Sequence, residues 1–244
     1  MPAKQTVVLI SGANSGIGLA VANQLARDHG YHVIVGARNA AAGEKVAAAL
    51  VADGYSASSV QLDVTSDESI EAAVQQITRE FGVLDVLINN AGTLLDVSDH
   101  GMSMRELFNH TYNTNVTGAA CLTEACIPLL RKAELPRVVF VSSRMGSISE
   151  ASDKSKPYYS TDYKTYDASK AALNMVALNY NRILEDSGAR VNAVCPGLVK
   201  TKLTGNHPMG SSTELGAQRI VEVATAGKGS PTGTFSDRGG NIPW

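Results

Sequence analysis

Two kinds of apolar pattern alternate along the chain. Short unbroken runs rich in β-branched residues fall at 6–11, 32–37, 59–63, 84–88, 137–141, 190–195 and 232–237, and they read as buried strands. Between them apolar positions recur every three or four residues, the spacing of a helix with one buried face. Ile17, Val21 and Leu25 form one such stripe, closed by Gly30, and Ile70, Val74, Ile77 and Phe81 form another, closed by Gly82. Thr65 and Glu68 have capping-box spacing ahead of that second stripe. An alanine-rich helix is predicted over 39–53, a long one over 103–132, one over 163–187 that stops at Gly188, and a last one over 212–226 carrying Leu215, Ile220 and Val223. Strands alternating with helices predict an α/β domain on an open parallel sheet. With no Pro/Ser-rich linker, low-complexity run or internal repeat, 1–244 reads as a single domain. One segment resists the pattern: the long helix contains Asn115 and Gly118, poor helix formers, and later Pro128. Local rules fail most often at functional or strained positions, so Asn115 is expected to bend the helix or hold a water.

Composition narrows the partners. The 244 residues carry a net charge of -2 with both signs scattered, which argues against nucleic acid and an anionic membrane surface and favours a small molecule. No apolar run is long enough to span a bilayer, and a strand starting near residue 6 leaves no room for a signal peptide. Cys121, Cys126 and Cys195 are odd in number with no Cys-x-x-Cys pair, which suggests reduced thiols and a cytoplasmic protein. Five scattered histidines show no ligand spacing, so no metal site is expected.

The candidate chemistry gathers at the carboxyl ends of the strands, the edge where open parallel sheets bind ligands. Gly12-Ala13-Asn14-Ser15-Gly16-Ile17-Gly18 lies between the first strand and its helix. Glycines there allow a tight turn and close backbone approach, and the helix N-terminus faces a pyrophosphate. After the second strand, Ala37 stands where an acid would bind a ribose hydroxyl, and Arg38 follows. A guanidinium without a carboxylate neighbour suits a 2′-phosphate, so NADP is favoured over NAD. Asn89-Asn90-Ala91-Gly92 follows the fourth strand, Ser142-Ser143 the fifth, and Pro196-Gly197-Leu198-Val199-Lys200-Thr201 the sixth. Tyr166 and Lys170 lie four positions apart on one helical face, where an ammonium would favour phenolate and lower the tyrosine pKa towards neutrality.

Taken in order, SGANSGIG at 11–18, NNAG at 89–92, NVTG at 115–118, Ser143, YDASK at 166–170 and PGLVKT at 196–201 resemble the short-chain dehydrogenase/reductase superfamily, in its shorter, carbonyl-reductase-like form. The resemblance implies a doubly wound Rossmann fold, with about seven parallel strands and helices on both faces. It implies a catalytic tetrad of Asn115, Ser143, Tyr166 and Lys170. It further implies cofactor contacts from Gly12, Asn14, Ser15, Gly16, Ile17, Gly18, Arg38, Asp63, Val64, Asn90, Ala91, Gly92, Tyr166, Lys170, Pro196, Gly197, Val199 and Thr201. The expected reaction is reversible hydride transfer between NADPH and a ketone or aldehyde, with Tyr166 as general acid. An NAD-linked alcohol dehydrogenase and a non-catalytic NADP-binding scaffold are the alternatives. Loops 93–104, 144–162 and 198–212 should wall the substrate pocket, with Leu94, Leu95, Met145, Tyr158, Tyr159, Leu203 and Met209 as candidates. Ser143 and Tyr166 are farther apart than in the family's shortest members, so 149–162 should form an extra lobe. That insertion leaves both a monomer and a homo-oligomer open.

Overall fold

The computed structural model describes residues 5–97 and 100–244, so Ser98 and Asp99 of the predicted 93–104 loop lie outside the described residues. The strands are β1 (Val7–Ser11), β2 (His32–Ala37), β3 (Ala57–Gln61), β4 (Val86–Asn89), β5 (Arg137–Val141), β6 (Arg190–Val194), β7 (Phe235–Asp237) and β8 (Gly240–Asn241). They form one sheet in the order β3-β2-β1-β4-β5-β6-β7-β8. Every pairing is parallel except that of β7 with β8, a two-residue return strand the apolar pattern was too short to reveal.

Alternation along each strand builds two cores. Leu9, Leu87, Val138 and Phe140 point to the side covered by α3 (Asp67–Glu80), α5 (Gly118–Leu130) and α7 (Lys164–Ile183). Val8, Ile10, Ile88 and Val139 point to the side covered by α1 (Gly16–His29), α2 (Ala40–Ala52) and α8 (Thr213–Ala224). Both faces are fully buried, which is why the strands read as unbroken apolar runs rather than alternating ones. The order reverses between β1 and β4, the switch point that opens a crevice at the carboxyl edge.

Three local readings change. The start of α3 is capped by Ser66, which accepts from the Ser69 amide, while Thr65 is drawn back onto the Asp63 carboxylate at 2.7 Å. The predicted 103–132 helix is α4 (Met104–Tyr112), a π-helical turn (Asn113–Thr117) and α5; the Gly118 amide donates five residues back, to Asn113. Such turns recur at functional sites. Gly118 has a packing reason as well: a methyl there would lie 2.5 Å from the Val64 carbonyl oxygen. The 144–162 connection is not wholly irregular, since a 3-10 turn (Arg144–Gly146) and the short helix α6 (Ile148–Ala151) begin it.

Candidate active site

Along the carboxyl edge runs a cleft of about 780 Å³. Of the predicted cofactor contacts, Gly12, Asn14, Ser15, Gly16, Ile17, Arg38, Asp63, Val64, Asn90, Ala91, Gly92, Lys170 and Thr201 line it. Gly12 and Gly16 have φ of 66° and 56°, a left-handed turn that side chains resist. The Ser15 side chain makes no capping hydrogen bond, so the first-turn amides of α1 stay available to an anion. Asn90 ties the floor together, its amide donating to the carbonyls of Ser11 at 2.9 Å and Gly12 at 3.3 Å. Gly18 lies behind this floor, where a methyl would meet Asn90 and Gly12 at 2.5 Å. Its role is therefore packing under the turn. Tyr166, Pro196, Gly197 and Val199 are not among the residues lining the cleft; Val199 is buried against Gly216 of α8.

At the second-strand end, Arg38 is exposed, and among the described residues its guanidinium makes no hydrogen bond or ion pair. Burial alone would raise the nearby Asp63 carboxyl, but hydrogen bonds from Thr65 and the charge of Arg38 hold it below the usual carboxylate range. Lys200 and Lys202 add two further cations to the wall, and Thr93, His110 and Thr114 add polar groups. Thr93, Lys200 and Lys202 fall in the loops 93–104 and 198–212 expected to wall the site, though not singled out there, while His110 and Thr114 gave no signal.

The four tetrad candidates come together on the far side of the switch point. Lys170, 5 % exposed, donates to the Val141 carbonyl at 2.9 Å, and its ammonium stands 5.5 Å from the Tyr166 ring centre. Burial brings the lysine down to about 8. The Tyr166 phenol moves opposite to expectation: burial pushes it above the usual tyrosine range, Cys195 adds to the rise, a Ser143 hydrogen bond opposes it and Asp167 adds again. Loss of water around the ring outweighs the nearby ammonium, so the phenol keeps its proton. Ser142, the other serine of the pair, is buried and donates to Asn174 at 2.6 Å, which leaves Ser143 as the one that meets Tyr166. Asn115, 1 % exposed, is fully engaged: it accepts from the Thr93 amide at 2.7 Å and donates to the Thr93 carbonyl at 2.9 Å and the Ser169 hydroxyl at 3.0 Å. The expected break in the helix is the π-helical turn, and the Asn115 side chain serves as a clamp on the loop after NNAG.

A second chamber of about 400 Å³ opens from the cleft, walled by Leu94, Leu95, Val97 and Leu203 with Lys202 and His100 at its sides. Tyr158 is not among its walls, because its hydroxyl is turned onto the Glu150 carboxylate at 2.5 Å. Tyr159 and Met209 are exposed to solvent, and Met145 lines neither cavity. Among the described residues no cluster of His, Cys, Asp and Glu could hold a metal, no helix is long and apolar enough to cross a membrane, and the three cysteines are free.

A family model described as short chain dehydrogenase matches residues 6–210. A short-chain dehydrogenase/reductase of Stachybotrys chlorohalonatus is 37 % identical, covering 95 % of this chain and 87 % of its own length. One from a Phoma species is 34 % identical, covering 91 % and 87 %. Among solved structures, the NADPH-bound carbonyl reductase from chicken fatty liver superposes with a TM-score of 0.85 at 25 % identity, over 99 % of this chain and all of the other. Salutaridine reductase of Papaver somniferum gives 0.80 at 25 % identity, over 96 % and 100 %.

Proposed function

The chain belongs to the short-chain dehydrogenase/reductase family of oxidoreductases, and from that premise we propose that it reduces a ketone or aldehyde with NADPH. A tyrosine bonded to Ser143 and set beside a buried lysine that itself lines the cleft is what supports this reading. Bound NADPH supplies the hydride to the carbonyl carbon. The chain's own groups do the rest. Ser143 and Tyr166 donate hydrogen bonds to the carbonyl oxygen, held in place where negative charge develops. Tyr166 then releases its proton to the alkoxide, and Lys170 steadies the phenolate that remains. Asn115 acts on geometry, clamping Thr93 and so the entrance of the second chamber.

NADP rather than NAD is supported by Arg38, which makes no ion pair among the described residues, with Lys200 and Lys202 also lining the cleft. A more highly charged cofactor gains more from three cations than a less charged one. The NADPH in the chicken-liver carbonyl reductase points the same way. The leucine-lined chamber supports a bulky or aromatic carbonyl compound. NADPH and NADH oxidation followed over ketones of graded size tests both points. Faster turnover with NADH, or no oxidation with any carbonyl, would overturn the proposal.

A further inference from the structure

The helix that carries Tyr166 begins without a cap of its own. Tyr163 stands at the capping position of α7 and offers no side-chain acceptor, so the amides of its first turn need a partner from elsewhere. Asp96, in the loop after NNAG, provides it. Its Oδ1 accepts from the Thr165 amide at 3.0 Å, and its Oδ2 from the Tyr166 amide at 3.1 Å and the Thr165 hydroxyl at 2.6 Å. These are the two amides an N-cap side chain ordinarily serves, reached here from 70 residues away. Thr165 is fully buried and lies 3.3 Å from the Thr111 hydroxyl of α4, so its side of the junction is shielded from solvent.

The same loop is pinned at its other end, where Asn115 grips Thr93 through both its amide and its carbonyl. Leu94 and Leu95, two walls of the second chamber, are stretched between these pins. We propose that Asp96 is a positioning residue that fixes the substrate-chamber wall to the first turn of the helix bearing Tyr166, setting the distance between bound carbonyl and acid. The arrangement is costly, which argues that it is not incidental. Asp167 sits beside it with a buried oxygen that has no partner, and burial together with Asp96 and Asp162 drives its carboxyl up to about 7. A surface chosen for stability alone would not crowd a second acid there.

This inference rests on the reductase reading, and its test has one measurement that does not. Asp96→Ala and Asp96→Asn are compared with wild type in the full chain. In Asp96→Ala, kcat falls about 10- to 100-fold and KM for the carbonyl compound rises about fivefold or more, because acid and wall move together. NADPH affinity stays within about threefold, since Asp96 does not line the cofactor cleft. Asp96→Asn keeps one acceptor oxygen and falls between the two. Amide exchange at Thr165 and Tyr166 speeds about tenfold or more in Asp96→Ala, and exchange over 93–97 speeds with it. A merely structural role would reduce the active fraction and leave KM unchanged, and that result overturns the proposal. Unaltered exchange in both segments overturns it too, even if wild type turns over no carbonyl and the reductase reading itself has failed. If Asp96→Ala does not fold, Asp96→Asn decides by the same two criteria.

Discussion

Replacing Gly146 by alanine isolates how the two halves of the site are seated on each other. Gly146 follows Ser143 in the 3-10 turn after β5, and a methyl there would lie 2.6 Å from the Lys170 carbonyl carbon, 2.7 Å from its Cβ and 2.8 Å from the Ala171 nitrogen. Its φ is not in the left-handed region, so the backbone itself accepts any residue and space alone is at issue. The obstructing atoms are mostly main chain of α7 and cannot swing aside. Ordinary contact begins at 3.4 Å, so turn and helix must part by about 0.8 Å, which separates Ser143 from Tyr166 and Lys170. Overpacking of this kind costs about 1–3 kcal/mol, or about 2–12 °C in Tm for a chain of this length. A displacement approaching 1 Å at reacting groups lowers kcat by about 10- to 100-fold. Thermal melts and steady-state NADPH oxidation give both readings. Gly227→Ala, where nothing lies within 4 Å, should change neither. Gly188→Ala, with φ of 70° in open space beyond α7, should lose stability and keep kcat. A Gly146→Ala protein with wild-type Tm and kcat would refute the reasoning, as would an equal loss of kcat in Gly188→Ala.

Three further perturbations reach other parts of the site. Tyr166→Phe removes the proton donor and should lower kcat by about 10²- to 10⁴-fold while NADPH binding, followed by fluorescence, holds within a few-fold. Arg38→Asp should weaken NADPH by about 10- to 150-fold, the worth of a charge-assisted phosphate contact. It should favour NADH in paired kcat/KM measurements. Asp167 holds its proton to about 7 in the folded chain against 3.8 for an ordinary aspartate, so folded stability falls as pH rises through that window and levels off above it. Asp167→Asn removes the fall: its melting temperature should exceed wild type at pH 8 and the gain should fade towards pH 4.

The cofactor half of the site was legible because it is local. A glycine-rich turn, the strand before it and the stripe Ile17, Val21 and Leu25 are contiguous, and each needs only its neighbours to be understood. β2 and β5 have the predicted limits for the same reason, since their apolar runs are bounded by a charge or a turn on either side. Asn115 and Gly118 announced themselves by violating helix propensity, but the violation did not say which remedy the fold would take. The π turn and the grip on Thr93 depend on a loop that sequence alone cannot place. Asp96 gave no signal, being one acid in a polar loop whose partners lie on another element. The tyrosine pKa went the wrong way because spacing reports a nearby charge and not the loss of water around it. Tyr158 was misplaced for a similar reason: nothing near it in the chain foretells that Glu150 will be buried and will claim its hydroxyl.

Arg144, the residue next to Ser143, fastens the extra lobe to the sheet. Its guanidinium reaches Glu150 of α6 on one side and Asp237 of β7 on the other, the latter at 2.8 Å. Lys156 and Tyr158 converge on the same Glu150, and Ser149 adds two bonds of its own to the Trp244 carbonyl. Exchanging 152–162 for a foreign cassette would therefore be tolerated where Glu150 is kept as the splice boundary. A graft that omits it would leave Arg144, one residue from the serine, held by Asp237 alone.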